Sequence, residues 1–109
     1  MTAREGRVAR NEATSREINE RIEDAHEESP SDEYIRMLCE CGRDSCDRLV
    51  AITVAEYEQV RSDARQFAVV PDHVIGDVER VVRETDRFVV VAKREGTAAA
   101  VASEEDPRS

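Results

Sequence analysis

The sequence predicts a small α+β domain, and three observations support this fold class. Residues 11–28, NEATSREINERIEDAHEE, place apolar side chains at helical spacing. The tetrapeptide TVAE at residues 53–56 has the sequence of a capping box, which starts a second helix. Short β-branched runs, such as QFAVV at residues 66–70, have the composition of strands. At 109 residues, the chain is long enough for one domain at most.

The N-terminal region is predicted to be an acidic arm outside the globular domain. Residues 1–10 lack apolar periodicity, so we expect them to be disordered. Residues 11–30 are expected to hold an acidic helix that ends before Pro30. The apolar face of this helix is thin, so it needs the domain's own surface, a second copy or another protein as a partner. That face consists of Ala13, Ile18, Ile22 and Ala25.

Residues 31–94 are predicted to form the globular domain, with one internal helix. YIRMLC at residues 34–39 is expected to be extended, and RLVAI at residues 48–52 has strand composition. Thr53 can then accept a hydrogen bond from the backbone of the third helical residue, which starts a helix over residues 54–64. The strand QFAVV follows and ends at a turn-rich segment.

The last part of the domain is predicted to be a β-hairpin that closes a small antiparallel sheet. Residues 79–84 are expected to pair with residues 87–93, because β-branched residues flank the turn-like sequence ETDR. The valines of this segment also permit a helix over residues 78–85. Residues 95–109 return to small and charged side chains, and we expect a flexible tail.

The charge balance restricts the classes of partner. The chain carries 25 acidic and 16 basic residues, for a formal charge of -9, and the acidity is concentrated in residues 12–34. This distribution leaves no basic stripe, which argues against binding to nucleic acid or to an anionic membrane. Neither a long apolar stretch nor a secretory signal is visible, so a cytoplasmic location is expected. In a reducing compartment, clustered cysteines indicate metal ligands or redox thiols rather than structural disulfides.

All three cysteines lie within one short segment. Cys39, Cys41 and Cys46 have the spacing C-x-C-x4-C, in which the chain can curl so that three thiolates reach one ion. Gly42 permits the positive φ that such a tight turn needs. Structural zinc sites take four ligands, almost always cysteine and histidine, so three cysteines require one more. The spacing therefore predicts one structural Zn²⁺ ion with a remote fourth ligand.

The chain offers two histidines as the fourth ligand. His73 lies in the turn PDH between predicted strands, where remote ligands commonly arise. His26 lies in the acidic helix, which would have to fold across the site. His73 is therefore favoured, while a carboxylate of Asp72, Asp44 or Asp47, or the lack of a fourth protein ligand, remains an alternative.

The alternatives to metal binding by the cysteines are redox-active thiols and buried inert thiols. A disulfide between Cys39 and Cys41 would close a strained ring, so it would be redox-labile, and buried inert thiols do not account for the clustering. The sequence contains no phosphate-binding loop, H-E-x-x-H or G-x-S-x-G motif. We therefore predict a non-enzymatic zinc protein, an adaptor or regulatory module that binds another protein through its surface and acidic helix. A redox- or zinc-responsive thiol sensor is the alternative, and a zinc enzyme is a third reading.

Several segments together resemble a group of small actinobacterial proteins to which no activity is assigned. They are NEATSREINERIE, CECGRDSC, ITVAEYEQVR, FAVVPDHV and VVRETDRFVVVAK, in this order, followed by DPR. The group has a C-x-C-x4-C segment and a P-G-H turn, so the resemblance implies a shared fold and a zinc site at Cys39, Cys41, Cys46 and His73. Asp72 stands where the group has glycine, which changes the flexibility of the turn and keeps the histidine.

Overall fold

The protein combines a long N-terminal helix with a short internal helix and two antiparallel sheets, which confirms the α+β prediction. The structure is a computed structural model that describes residues 3–30, 32–43, 46–74, 76, 79–94, 102–104, 106 and 108. Within these residues the elements are α1 (Ala3–Ala25), β1 (Tyr34–Leu38), β2 (Leu49–Thr53), α2 (Val54–Val60), β3 (Gln66–Val69), β4 (Glu79–Glu84) and β5 (Val89–Lys93). A single 3-10 turn, Pro71–His73, follows β3.

The strands form two separate sheets in the described chain, where the sequence predicted one. β1 pairs with β2, and β3, β5 and β4 form a second sheet with β5 in the centre. All five residues of β5 are buried, which explains why its first four residues, VVVA, form an apolar run without alternation. By contrast, β1 alternates between exposed and buried positions, so Ile35 and Met37 face the core. The predicted hairpin of β4 and β5 is confirmed, and Val78 lies outside the described residues.

α2 begins as predicted and ends earlier than predicted. Thr53 accepts a hydrogen bond from the backbone of Glu56, and the Glu56 side chain accepts one from the backbone of Thr53, so the capping box is present. The helix ends at Val60, four residues before the predicted end. Tyr57 and Val60 are its buried residues, and they hold α2 against the core.

α1 corrects the predicted disorder of residues 1–10, because the helix begins at Ala3. It ends at Ala25, three residues before the predicted end. The predicted apolar face is only partly correct as the packing face: Ile22 is half-buried against the core, whereas Ile18 and Ala25 are exposed. The helix instead buries mainly polar residues, spaced by four, three and four positions along one face. They are Glu12, Arg16, Asn19 and Glu23.

The polar face of α1 finds its partners within the same chain. The Arg16 guanidinium donates to the carbonyl oxygens of Ala64 at 2.7 Å and Gln66 at 2.5 Å, and it lies 3.9 Å from the centroid of the Phe67 ring. Glu20 accepts from Arg61, which directly follows α2, at 2.6 Å. Hydrogen bonds to these backbone carbonyls compensate for the cost of burying a cation. The acidic helix is therefore part of the folded domain rather than a separate arm.

The described residues of the C-terminal tail are packed against the helices, which corrects the predicted flexibility at those positions. Ala102 is buried with the core, and Asp106 forms an ion pair with Arg61. Arg108 donates to Glu20 at 2.8 Å and to both carboxylate oxygens of Glu58. Residues 95–101, 105, 107 and 109 lie outside the described residues. Neither helix in the described chain is long and apolar enough to cross a membrane.

Candidate metal centre

The structure brings Cys39, Cys41, Cys46 and His73 together at one site. Cys39 and Cys41 directly follow β1, Cys46 lies just before β2, and His73 ends the turn after β3. One ligand atom from each of the four residues can be chosen so that all four atoms lie within 4.8 Å of one another. The loop between β1 and β2 thus supplies three sulfurs, and the turn after β3 supplies the imidazole.

Two distances within this group match those of a tetrahedral zinc site. The Nδ1 atom of His73 lies 3.6 Å from the Sγ atom of Cys39 and 3.6 Å from that of Cys46. With Zn–S bonds of about 2.3 Å and Zn–N bonds of about 2.0–2.1 Å, tetrahedral geometry places sulfur and nitrogen ligands about 3.5 Å apart. The donor set of three sulfurs and one nitrogen is also one that structural zinc uses. The residues therefore fit a zinc ion, with Nδ1 as the imidazole ligand.

Backbone groups around the site favour the thiolate form of the cysteines. The Val70 amide donates to the Sγ atom of Cys39 at 3.2 Å. The backbone amides of Arg43 and Arg48 donate hydrogen bonds to the sulfurs of Cys41 and Cys46, respectively. Such bonds to sulfur orient metal-binding thiolates and spread their charge. Each of the three sulfurs therefore has its own backbone donor.

Gly42 makes the turn after Cys41 possible. Its φ is 75°, in the left-handed region that favours glycine. A Cβ atom at this position would lie 2.6 Å from the Cγ atom of Glu12 and 2.6 Å from the carbonyl oxygen of Val8. The sequence predicted the need for a positive φ here. The close approach of α1 is a second reason for glycine, and the structure alone reveals it.

The three thiols differ in acidity and in exposure. A hydrogen bond with Cys39 lowers the pKa of Cys41 to about 4, and the same contact raises the pKa of Cys39. Burial raises the pKa of Cys46. Cys39 and Cys41 are buried, whereas Cys46 and His73 are half-buried. Cys41 is therefore the thiol that loses its proton most readily to give the thiolate, the form that binds metal. The side of the site formed by Cys46 and His73 lies closer to solvent.

The alternatives for the fourth ligand do not join the group among the described residues. His26 lies in the turn just after α1, where its Nδ1 atom lies 2.8 Å from the carbonyl oxygen of Ile22. Asp47 and Asp72 are exposed, and the nearest Asp72 oxygen is 4.0 Å from the Nε2 atom of His73, too far for a hydrogen bond. Asp44 lies outside the described residues.

Glu40 is a residue of this site that the sequence analysis missed. It lies between two of the cysteines and is fully buried. Its carboxylate accepts hydrogen bonds from the Tyr57 hydroxyl at 2.8 Å, the Ala68 amide at 3.0 Å and the Asn19 side chain at 3.0 Å. Burial of a carboxylate is costly unless several hydrogen-bond donors surround it, as they do here. The only signal in the sequence is a glutamate inside a C-x-C motif, and this alone does not indicate burial.

Comparisons with protein-family models, curated proteins and solved structures find no match to this chain. The resemblance to the actinobacterial group therefore stays a prediction. What can be said of function depends on the geometry and chemistry of the site.

Proposed function

We propose that the chain is a non-enzymatic zinc protein, in which Cys39, Cys41, Cys46 and His73 bind one structural Zn²⁺ ion. The observation that carries this proposal is the pair of 3.6 Å distances from the His73 Nδ1 atom to two cysteine sulfurs. A bound zinc ion would connect the loop between β1 and β2 to the turn after β3. Small domains commonly depend on such a connection, because their cores bury limited apolar area.

The same donor set argues against catalysis. Catalytic zinc sites use three protein ligands and keep a fourth position for water or substrate. Here four protein atoms can approach one ion at once, which leaves that position filled. A role in binding another protein is then the simplest alternative to chemistry, and we propose that the protein acts as an adaptor or regulatory module. Because α1 docks on its own domain, only its outer face, which includes Ile18, would be available to a partner.

The test of the zinc proposal is metal analysis combined with thermal unfolding. We expect about one zinc per chain in the purified protein, as a four-ligand site requires. A chelator should lower the melting temperature by at least about 10 °C, because the loss of a few kcal/mol shifts a domain of this size by that much. A metal-free chain that unfolds at the same temperature with and without chelator would contradict the proposal.

A thiol sensor is the second candidate, and the half-buried position of Cys46 favours it. Peroxide could reach this sulfur, and two thiolates would lose two electrons to form a disulfide between Cys46 and one of the buried cysteines. Peroxide would take up these electrons with two protons and leave as two water molecules, and the metal would lose two ligands. Reversible zinc release by mild peroxide would support this role, whereas zinc retention would favour a purely structural site.

A further inference from the structure

We propose that docking of α1 and occupancy of the metal site are coupled, through contacts between the helix and the knuckle, defined as residues 38–43. This inference rests on the proposed zinc site. The starting observation is the polar character of the docked face of α1, where Arg16 and Asn19 are each 1% exposed while Ile18 is 38% exposed. A face held by hydrogen bonds depends on the positions of its partners far more than an apolar face does.

Asn19 connects α1 directly to the knuckle. Its Oδ1 atom accepts from the Leu38 amide at 2.8 Å, and its Nδ2 group donates to the Leu38 carbonyl at 3.0 Å and to the Glu40 carboxylate at 3.0 Å. One side chain thus satisfies both backbone groups of the residue that precedes Cys39. Any movement of the knuckle displaces all three partners of this amide together.

The first half of α1 meets the knuckle at Gly42. Asn11 donates to the Gly42 carbonyl at 3.1 Å. The helix approaches so closely that a methyl group on Gly42 would overlap atoms of Val8 and Glu12. The positive φ at Gly42 belongs to the turn that directs Cys41 into the site. The backbone conformation that positions the sulfurs is therefore also the one that accepts the helix.

Glu40 carries the coupling into the core. Its carboxylate joins Asn19 of α1 to Tyr57 of α2 and to the Ala68 amide of β3, and its own amide donates to the Ala68 carbonyl at 2.8 Å. Because its two neighbours in the chain are both proposed zinc ligands, bound metal restricts the backbone that places this carboxylate. Metal release would give the knuckle other conformations, in which these hydrogen bonds cannot all persist.

The coupling is partial, because α1 also has contacts away from the knuckle. Arg16 donates to the carbonyls of Ala64 and Gln66, and Glu20 pairs with Arg61. These contacts do not involve the knuckle. We therefore expect metal release to weaken docking of α1 rather than to abolish it.

Docking of α1 and zinc binding are coupled equilibria in this proposal, so each affects the other equally. The proposal can therefore be tested by measuring zinc affinity in variants that weaken docking. Asn19→Ala removes three hydrogen bonds to the knuckle and no proposed ligand. We expect it to weaken zinc binding about tenfold, within the usual range of coupling, when affinity is measured by chelator competition. Thr14→Ala is the matched control, because this exposed hydroxyl bonds only to the Arg10 carbonyl of its own helix, and it should leave the affinity unchanged. If Asn19→Ala fails to fold, Asn11→Ala should give a smaller loss in the same direction.

Hydrogen exchange supplies the second measurement. Amides of α1 should exchange faster in zinc-loaded Asn19→Ala than in zinc-loaded wild type, while amides of β5 stay protected. The coupling alone would be overturned if both asparagine variants bound zinc with wild-type affinity. It would also be overturned if α1 were equally protected in zinc-loaded and chelator-treated wild type while β5 stayed intact. Wild-type protein that takes up no zinc would instead overturn the metal assignment and the coupling with it.

Discussion

The Nδ1 atom of His73 lies 3.6 Å from the Sγ atom of Cys39, although the two residues are 34 positions apart in the chain. This contact joins the end of β1 to the turn after β3, which belong to different sheets. Within the described chain, the candidate metal site is thus one of the places where the two sheets meet. A metal ion bound there would affect the stability of the fold.

Replacement of the proposed imidazole ligand is the first prediction. His73→Ala should lower zinc affinity by at least about 100-fold, because one ligand of four supplies a few kcal/mol of an apparent 10 to 16 kcal/mol, roughly. Chelator competition measures this loss, and the melting temperature should fall in parallel. His26→Ala is the matched control, since the His26 side chain contacts the Ile22 carbonyl of α1 and lies away from the cysteines. Wild-type zinc affinity in His73→Ala would remove His73 from the ligand set.

The ion pair between Glu56 and Arg87 predicts a change of stability in acid. The Arg87 side chain bonds to the Glu56 carboxylate at 2.7 and 2.9 Å and lowers the pKa of Glu56 from 4.5 to about 2. Because the folded-state pKa is depressed, this contribution is present above pH 4.5 and is lost as the pH falls towards 2. Both side chains are about a quarter exposed, so we expect about 1 kcal/mol.

The measurement is the difference in free energy of unfolding between wild type and Glu56→Gln, taken from urea titrations at several pH values. Glutamine keeps the capping box of α2, so the difference reports on the ion pair. The difference should be about 1 kcal/mol at pH 7 and should shrink progressively below pH 4.5. Glu17→Gln, on the exposed face of α1, should differ little from wild type. A difference that does not depend on pH would refute the assignment.

The buried cation Lys93 predicts a large loss of stability. Its Nζ atom lies 2.6 Å from Glu79 and 2.5 Å from Glu12, and all three side chains are at most 3% exposed. Burial raises the pKa of Glu12 to about 8 even beside this cation. Lys93→Met removes the cation that two buried carboxyl groups share and leaves the ionised form of either without a partner, which should cost about 3–5 kcal/mol. The free energy of unfolding measures this cost.

The neighbouring Arg94 provides a matched control for this experiment. It is exposed and donates to the Gly76 carbonyl at 3.3 Å. Arg94→Met should change the free energy of unfolding by less than about 0.5 kcal/mol, as expected for a surface residue. A change in the free energy of unfolding of similar small size in Lys93→Met would show that the two carboxyl groups do not require the lysine for stability.

Local sequence signals predicted the elements that depend on neighbouring residues. The capping box at Thr53, the hairpin of β4 and β5, and the strand before Pro71 follow from short-range rules, and the structure confirms them. The approach of His73 to the cysteines was also predictable, because zinc chemistry limits a fourth ligand to few residue types.

The sequence could not predict how α1 docks, because its packing face is polar. Periodicity methods look for apolar residues at helical spacing, and they selected Ile18 and Ile22. The residues that dock, such as Arg16 and Asn19, obtain their partners from backbone groups far along the chain. Such hydrogen bonds are properties of the folded structure, and so is the division of five strands into two sheets.

X-ray absorption at the zinc edge tests the central claim most directly, because it reports the identity and distance of the atoms around the metal. We expect three sulfur ligands at about 2.3 Å and one nitrogen ligand at about 2.0–2.1 Å. In His73→Ala the nitrogen contribution from imidazole should disappear while the sulfur shell remains. A wild-type spectrum with only oxygen and nitrogen ligands, or with four sulfurs, would contradict a site built from Cys39, Cys41, Cys46 and His73.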